Sequence, residues 1–75
     1  MPTIKRFRTF NICMYFDDHG VPHFHIVSAD ENASVAIDTL EVLAGSVNKA
    51  TLKEAKAWAA INKSMLQSKW EEFSS

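Results

Sequence analysis

The chain has 75 residues, of which 47% are hydrophobic, and a net charge of −1. This length suits one hydrophobic core, so we predict that residues 1–75 form a single domain. The one cysteine, Cys13, excludes an intrachain disulfide, and the sequence shows neither a signal peptide nor a run of about 20 apolar residues. We therefore expect a cytoplasmic protein that does not cross a membrane.

The first half of the chain has the period-two pattern of β-strands. Residues 10–16 alternate between apolar and other side chains, and residues 23–28 follow a turn and a proline. Residues 35–37 mark a third short strand, and residues 42–43 mark a fourth that ends at a glycine. These runs predict a small antiparallel sheet of three to four strands.

The last third of the chain has the 3.6-residue period of an amphipathic helix. Thr51 and Glu54 match a capping box, so we predict a helix from about Leu52 to about Phe73. The fold class is then α+β, with this C-terminal helix packed on one face of the sheet. Six apolar residues form the predicted core face of the helix: Leu52, Ala55, Ala59, Leu66, Trp70 and Phe73.

A second apolar group on the helix widens its hydrophobic arc beyond what one sheet covers. It consists of Trp58, Ile61 and Met65. Either these residues contact another protein chain, or the helix breaks near residues 62–64 so that both halves fold onto the same core. The sequence leaves both explanations open.

Charge is distributed unevenly along the chain. Lys5, Arg6 and Arg8 lie in the first ten residues without an acid, whereas residues 11–48 contain six acids, all three histidines and no lysine or arginine. An acidic environment favours a bound cation over a polyanion. The basic N-terminus keeps nucleic acid as an alternative, with these three cations as phosphate contacts.

The histidines form the main candidate site. His23 and His25 are two residues apart on a predicted strand, so their side chains leave the same face with Cβ atoms ~7 Å apart. Phe24 and Ile26 should then point into the core. His19 precedes this pair in a predicted turn.

Several chemistries use such a histidine cluster. A divalent metal such as zinc would take His19, His23 and His25 as ligands. A metal-free nuclease would use His23 and His25 as acid and base. A pH-responsive interface or plain hydrogen bonding within an edge strand would use the same residues, and the spacing leaves these alternatives open.

Several segments of the chain resemble one known family. They are Met-Pro-Thr-Ile-Lys-Arg-Phe at residues 1–7, Met-Tyr-Phe-Asp-Asp-His at 14–19, Pro-His-Phe-His at 22–25, and Glu-Val-Leu-Ala-Gly at 41–45. Together with Ala-Trp-Ala and Lys-Trp in the predicted helix, they resemble the family called domain of unknown function 4160. The resemblance extends over essentially the whole chain.

The resemblance implies a small bacterial protein, often encoded beside a second small protein of the domain of unknown function 2442 type. This gene arrangement is similar to that of toxin–antitoxin pairs. The family's histidines correspond to His19, His23 and His25. Two positions differ from the family pattern: Val21 stands where a proline is common, and Leu40 stands where a glycine is usual.

These observations predict that the protein is one component of a two-gene module. It would act through a partner protein or through self-association, and through its histidines. In one form of this hypothesis, His23 and His25 cleave RNA while the N-terminal cations hold phosphates. The alternatives are a small metal-binding protein and a non-enzymatic adaptor.

Overall fold

A computed structural model describes residues 2–15 and 20–74 of the chain. Five strands are followed by two helices: β1 (Thr3–Arg6), β2 (Phe10–Cys13), β3 (His23–Ser28), β4 (Asn32–Ala36), β5 (Val42–Ser46), α1 (Lys49–Ile61) and α2 (Lys63–Ser74). Among the residues so described, no helix is both long and apolar enough to cross a bilayer.

The strands form one antiparallel sheet in which each strand pairs with its neighbour along the chain, in the order β1-β2-β3-β4-β5. Ile12 lies opposite Ile26, and Phe24 lies opposite Val35. Directly opposed residues share a face of the sheet, so these side chains define its apolar face.

Side chains from both helices complete the core on this apolar face. Ala55 and Ala59 of α1 and Leu66 of α2 are fully buried. They join the strand residues in one cluster: Phe10, Ile12, Met14, Phe24, Ile26, Val35, Ile37, Ala55, Ala59, Leu66 and Trp70. The α+β class and the antiparallel sheet are therefore confirmed.

The predicted number of strands is wrong, because the sequence pattern does not reveal β1. Its residues are Thr-Ile-Lys-Arg, and only Ile4 packs against the core. An edge strand of this kind forms because its backbone pairs with β2, with Arg6 opposite Asn11. Such pairing leaves little trace in hydrophobic periodicity.

The continuous helix predicted from Leu52 to Phe73 is replaced by two helices that meet at Asn62. The Asn62 backbone N–H donates to the Ala59 carbonyl at 3.0 Å, and its side-chain Nδ2 donates to the Trp58 carbonyl at 2.8 Å. Its own carbonyl then accepts from Leu66 N–H at 2.9 Å. One residue therefore ends α1 and starts α2, and the break is the alternative that the structure adopts.

The predicted capping box is also wrong. Helix α1 begins at Lys49, and its N-cap is Asn48, whose side chain accepts from the Thr51 N–H at 2.8 Å. Asparagine is as strong an N-cap as threonine. The Asn48 N–H donates to Glu31 Oε1 at 3.2 Å, which ties this helix start to the β3–β4 turn.

The β4–β5 turn holds a leucine in a conformation that favours glycine. Leu40 has φ 62°, and its N–H donates to the Ala36 carbonyl at 2.9 Å. The left-handed region is strained for a residue with a Cβ. Here the Leu40 side chain packs against the core, which offsets the strain.

Comparing Leu40→Gly with Leu40→Ala isolates this strain, because both variants lose the leucine packing. We expect the glycine variant to be the more stable of the two by about 1 kcal/mol. The free energies of unfolding from urea denaturation measure the difference. Equal stabilities, or a more stable alanine variant, would contradict the strain at this turn.

Candidate functional site

The face of the sheet opposite the core carries the histidines. His25 lies opposite Cys13 on one side and opposite Ser34 on the other, and His23 lies opposite Ala36. We call this surface the histidine face; by register and alternation it comprises Thr3, Arg6, Asn11, Cys13, Tyr15, His23, His25, Val27, Asn32, Ser34, Ala36, Ala44 and Ser46.

Four aromatic rings form a row that begins on this face and ends in the core, and each ring contacts the next. The Tyr15 and His25 ring centroids are 4.3 Å apart, and those of His25 and His23 are 5.0 Å apart. The His23 ring in turn lies 5.0 Å from the ring of Trp70, a core residue of α2. We call these four residues the ring row. Tyr15, His23 and His25 are each half-buried, so part of each ring meets solvent.

Hydrogen bonds to the protein orient both imidazoles. His23 Nδ1 lies 2.7 Å from the carbonyl oxygen of Val21. Because a carbonyl only accepts, Nδ1 carries the proton and Nε2 carries the lone pair in the neutral ring. His25 Nδ1 lies 3.4 Å from Ser34 Oγ, across the β3–β4 pair.

The three predicted phosphate-binding cations have different surroundings. Arg6 is exposed and belongs to the histidine face, because it lies opposite Asn11. The Lys5 ammonium instead lies 5.9 Å from the centroid of the Phe7 ring. Arg8 is exposed in the β1–β2 turn.

The acids expected around the histidines lie partly within the part of the chain that the structure describes. Its four acids between residues 20 and 48 lie in the turns between strands, not on the histidine face: Asp30, Glu31, Asp38 and Glu41. Turns accept polar side chains at either end of a sheet, so closeness in sequence to a histidine does not place an acid on its face. Asp17 and Asp18 lie outside the described residues.

The metal prediction stays untested because His19, its third ligand, also lies outside the described residues. Within residues 2–15 and 20–74, no group of three histidine, cysteine, aspartate or glutamate side chains is arranged to hold a metal ion. His23 and His25 alone would supply two ligands, whereas zinc sites in proteins use three or four.

The helix break separates one of the three residues predicted to bind a partner, Met65 on α2, from the other two, Trp58 and Ile61 on α1. Trp58 is half-buried and packs against the core, with its ring 6.0 Å from that of Phe7 in an edge-to-face contact. Met65 is half-buried on α2, whereas Ile61, the last residue of α1, is 83% exposed. Partner binding remains a prediction, and Ile61 is the most exposed of the three residues.

Tyr15 and Trp70 are members of the site that the sequence did not connect to the histidines. Alternation in residues 10–16 places Asn11, Cys13 and Tyr15 on one face. Only the register between β2 and β3 joins that face to His25. Trp70 is a core residue by its helical position, and its contact with His23 depends on where α2 lies.

This small protein is of the α+β class. It has an antiparallel five-stranded sheet, two C-terminal helices and a pair of adjacent imidazoles opposite the core. The family model described as domain of unknown function (DUF4160) matches residues 9–71, and the chain belongs to this family. Searches among curated proteins and among solved structures find no significant match. The resemblance inferred from the sequence motifs is thus confirmed.

The hydrogen bond to Val21 predicts one tautomer for neutral His23. We expect its nitrogen NMR spectrum under alkaline conditions to show a protonated Nδ1 and an unprotonated Nε2, because the carbonyl acceptor holds the proton on Nδ1. An Nε2–H tautomer would contradict the orientation of the ring.

Proposed function

We propose that this protein is the RNA-acting component of a two-protein, toxin–antitoxin-like bacterial module, and that single-stranded RNA binds on its histidine face. The proposal rests on one observation: this face carries three half-buried rings, those of Tyr15, His25 and His23, in consecutive edge-to-face contacts. Among the described residues of the face there is an exposed arginine, Arg6, and no carboxylate.

Partly exposed rings on a sheet suit unpaired nucleotides. Bases of any sequence stack on aromatic side chains, and each stacked base contributes about 1–3 kcal/mol to binding. Asn32 and Ser34 add polar side chains beside the rings, and the Arg6 guanidinium supplies the positive charge that a phosphate requires.

The two imidazoles also have the chemistry for cleaving an RNA strand. A base removes the proton from the 2′-hydroxyl, whose oxygen attacks the adjacent phosphorus, and an acid protonates the departing 5′-oxygen. With its ring centroid 5.0 Å from that of His25, His23 reaches the same phosphodiester. His23 acts as the base through Nε2, since its Nδ1 donates to Val21, and protonated His25 acts as the acid.

His25→Phe separates stacking from proton transfer, because phenylalanine keeps a ring beside Tyr15 and removes both nitrogens. We expect His25→Phe and His23→Ala to reduce cleavage of a single-stranded oligoribonucleotide by at least about 100-fold. His25→Phe should bind a 2′-methoxy oligonucleotide, which cannot be cleaved, within about threefold of wild type, because the stacking surface remains.

Circular dichroism verifies that each variant is folded, and overexpression in bacteria supplies a second measurement. Wild-type protein should inhibit growth, and both histidine variants should not. Equal cleavage and equal growth inhibition by wild type and variants would exclude the catalytic role. A wild-type protein that binds no RNA would refute the proposal as a whole.

The exposed β5 edge of the sheet favours a second candidate function, which is docking of the partner protein. Strand β5 is uncharged along its whole length, and all five of its residues are exposed. The opposite edge strand, β1, carries Lys5 and Arg6, which is the usual protection against strand addition. We propose that an extended segment of the partner, a small protein of the domain of unknown function 2442 type, pairs with β5.

Leu43→Lys tests this edge, because Leu43 is 48% exposed and a lysine there opposes strand addition. We expect co-purification with the neighbouring gene's product to fall at least about tenfold. Val21→Lys, a change at a residue 56% exposed outside β5, is the matched control. Loss of the complex in Ile61→Lys but not in Leu43→Lys would place the partner on α1 and refute docking at β5.

A further inference from the structure

An open cavity of about 630 Å³ adjoins the β1–β2 and β3–β4 turns. Its lining residues are 7–11 and 27–29. Asn11 and Val27 lie opposite each other in the β2–β3 register and belong to the histidine face, so the cavity continues that face toward the turns. The volume lies within the range of about 300–1,000 Å³ that small-molecule sites occupy.

The charge of the cavity favours an anion. Arg8 is the one charged residue among those described as lining it. Asp30 follows the lining segment without belonging to it, and the Glu31 carboxylate accepts from the Asn48 N–H at 3.2 Å. Lys5, whose ammonium lies 5.9 Å from the centroid of the lining residue Phe7, is also not a lining residue. Among the described lining residues, a phosphate placed here would meet the Arg8 guanidinium and no carboxylate.

The polar side chains of the cavity suit the edge of a base. The Ser28 hydroxyl is engaged in its turn, because it donates to the Glu31 carbonyl at 3.0 Å and accepts from the Glu31 N–H at 3.2 Å. Thr9 and Asn11 are the other polar, uncharged side chains of the lining. A side-chain amide both donates and accepts, as the edge of a nucleobase requires.

We infer that this cavity is a subsite for the nucleotide next to the two that the cleaved bond joins in single-stranded RNA, with Arg8 on its phosphate and Asn11 on its base. This inference rests on the proposed RNA-acting function. Val27 is two residues from His25 on β3, a distance of ~6.6 Å along the strand. A longer RNA bound across the ring row therefore places its next nucleotide in the cavity. A dinucleotide bound at the imidazoles is too short to reach the cavity.

Binding of 2′-methoxy RNA of two lengths to the full chain tests the subsite. We expect Arg8→Ala to weaken binding of a hexanucleotide about tenfold and to leave binding of a dinucleotide within twofold of wild type. The slope of log affinity against log salt for the hexanucleotide should fall by about 0.7, the value for one lost phosphate contact on a single strand. Lys53→Ala, which removes an exposed charge from α1, is the matched control and should change neither affinity by more than about twofold.

Ala29→Trp fills the cavity without changing its charge and should weaken hexanucleotide binding as Arg8→Ala does. Suppose that hexanucleotide binding depends on the ring row, but that Arg8→Ala weakens it no more than Lys53→Ala does. The subsite is then refuted, and the proposed function stands. If wild type binds neither length, the proposed function fails first. A mononucleotide that binds as tightly as the hexanucleotide, and through Arg8, would make the cavity an independent site and overturn the inference.

Discussion

The register of β2, β3 and β4 determines which side chains enter the core and which lie on the histidine face. Side chains alternate between faces along a strand, so a slip of one residue in β3 would exchange its two faces. Phe24 and Ile26 are fully buried, and exposing either would cost about 1.5–3 kcal/mol. The same burial that stabilises the core therefore holds His23 and His25 on the opposite face, next to Tyr15.

The ring row connects this core to the histidine face. Trp70 is 9% exposed and belongs to the core cluster, and its ring also contacts that of His23. The position of α2 thus affects the orientation of an imidazole. Asn62 matters for the same reason, because the helix break there sets the direction in which α2 leaves α1. Folding and the candidate site share these residues.

The sequence predicted the elements that strong periodicity marks and missed those that depend on backbone pairing or on register. Alternation placed the imidazoles of β3 correctly relative to Phe24 and Ile26, and the helical period identified Ala55, Ala59, Leu66 and Trp70 as core residues. Strand β1 escaped detection because Ile4 is its one residue that packs against the core. The capping error arose because Asn48 and Thr51 are both good N-caps, and tertiary contacts choose between them. The sequence does not assign the acids of the segment that contains the histidines to a face, and those among the described residues lie in turns.

An NMR titration of the full chain with a 2′-methoxy hexanucleotide shows whether RNA binds on the histidine face. We expect the resonances of Arg6, Tyr15, His23 and His25 to shift in a saturable way, and those of exposed residues on α1 to stay in place. Shifts confined to the helices, or no saturable shifts at all, would contradict binding on this face.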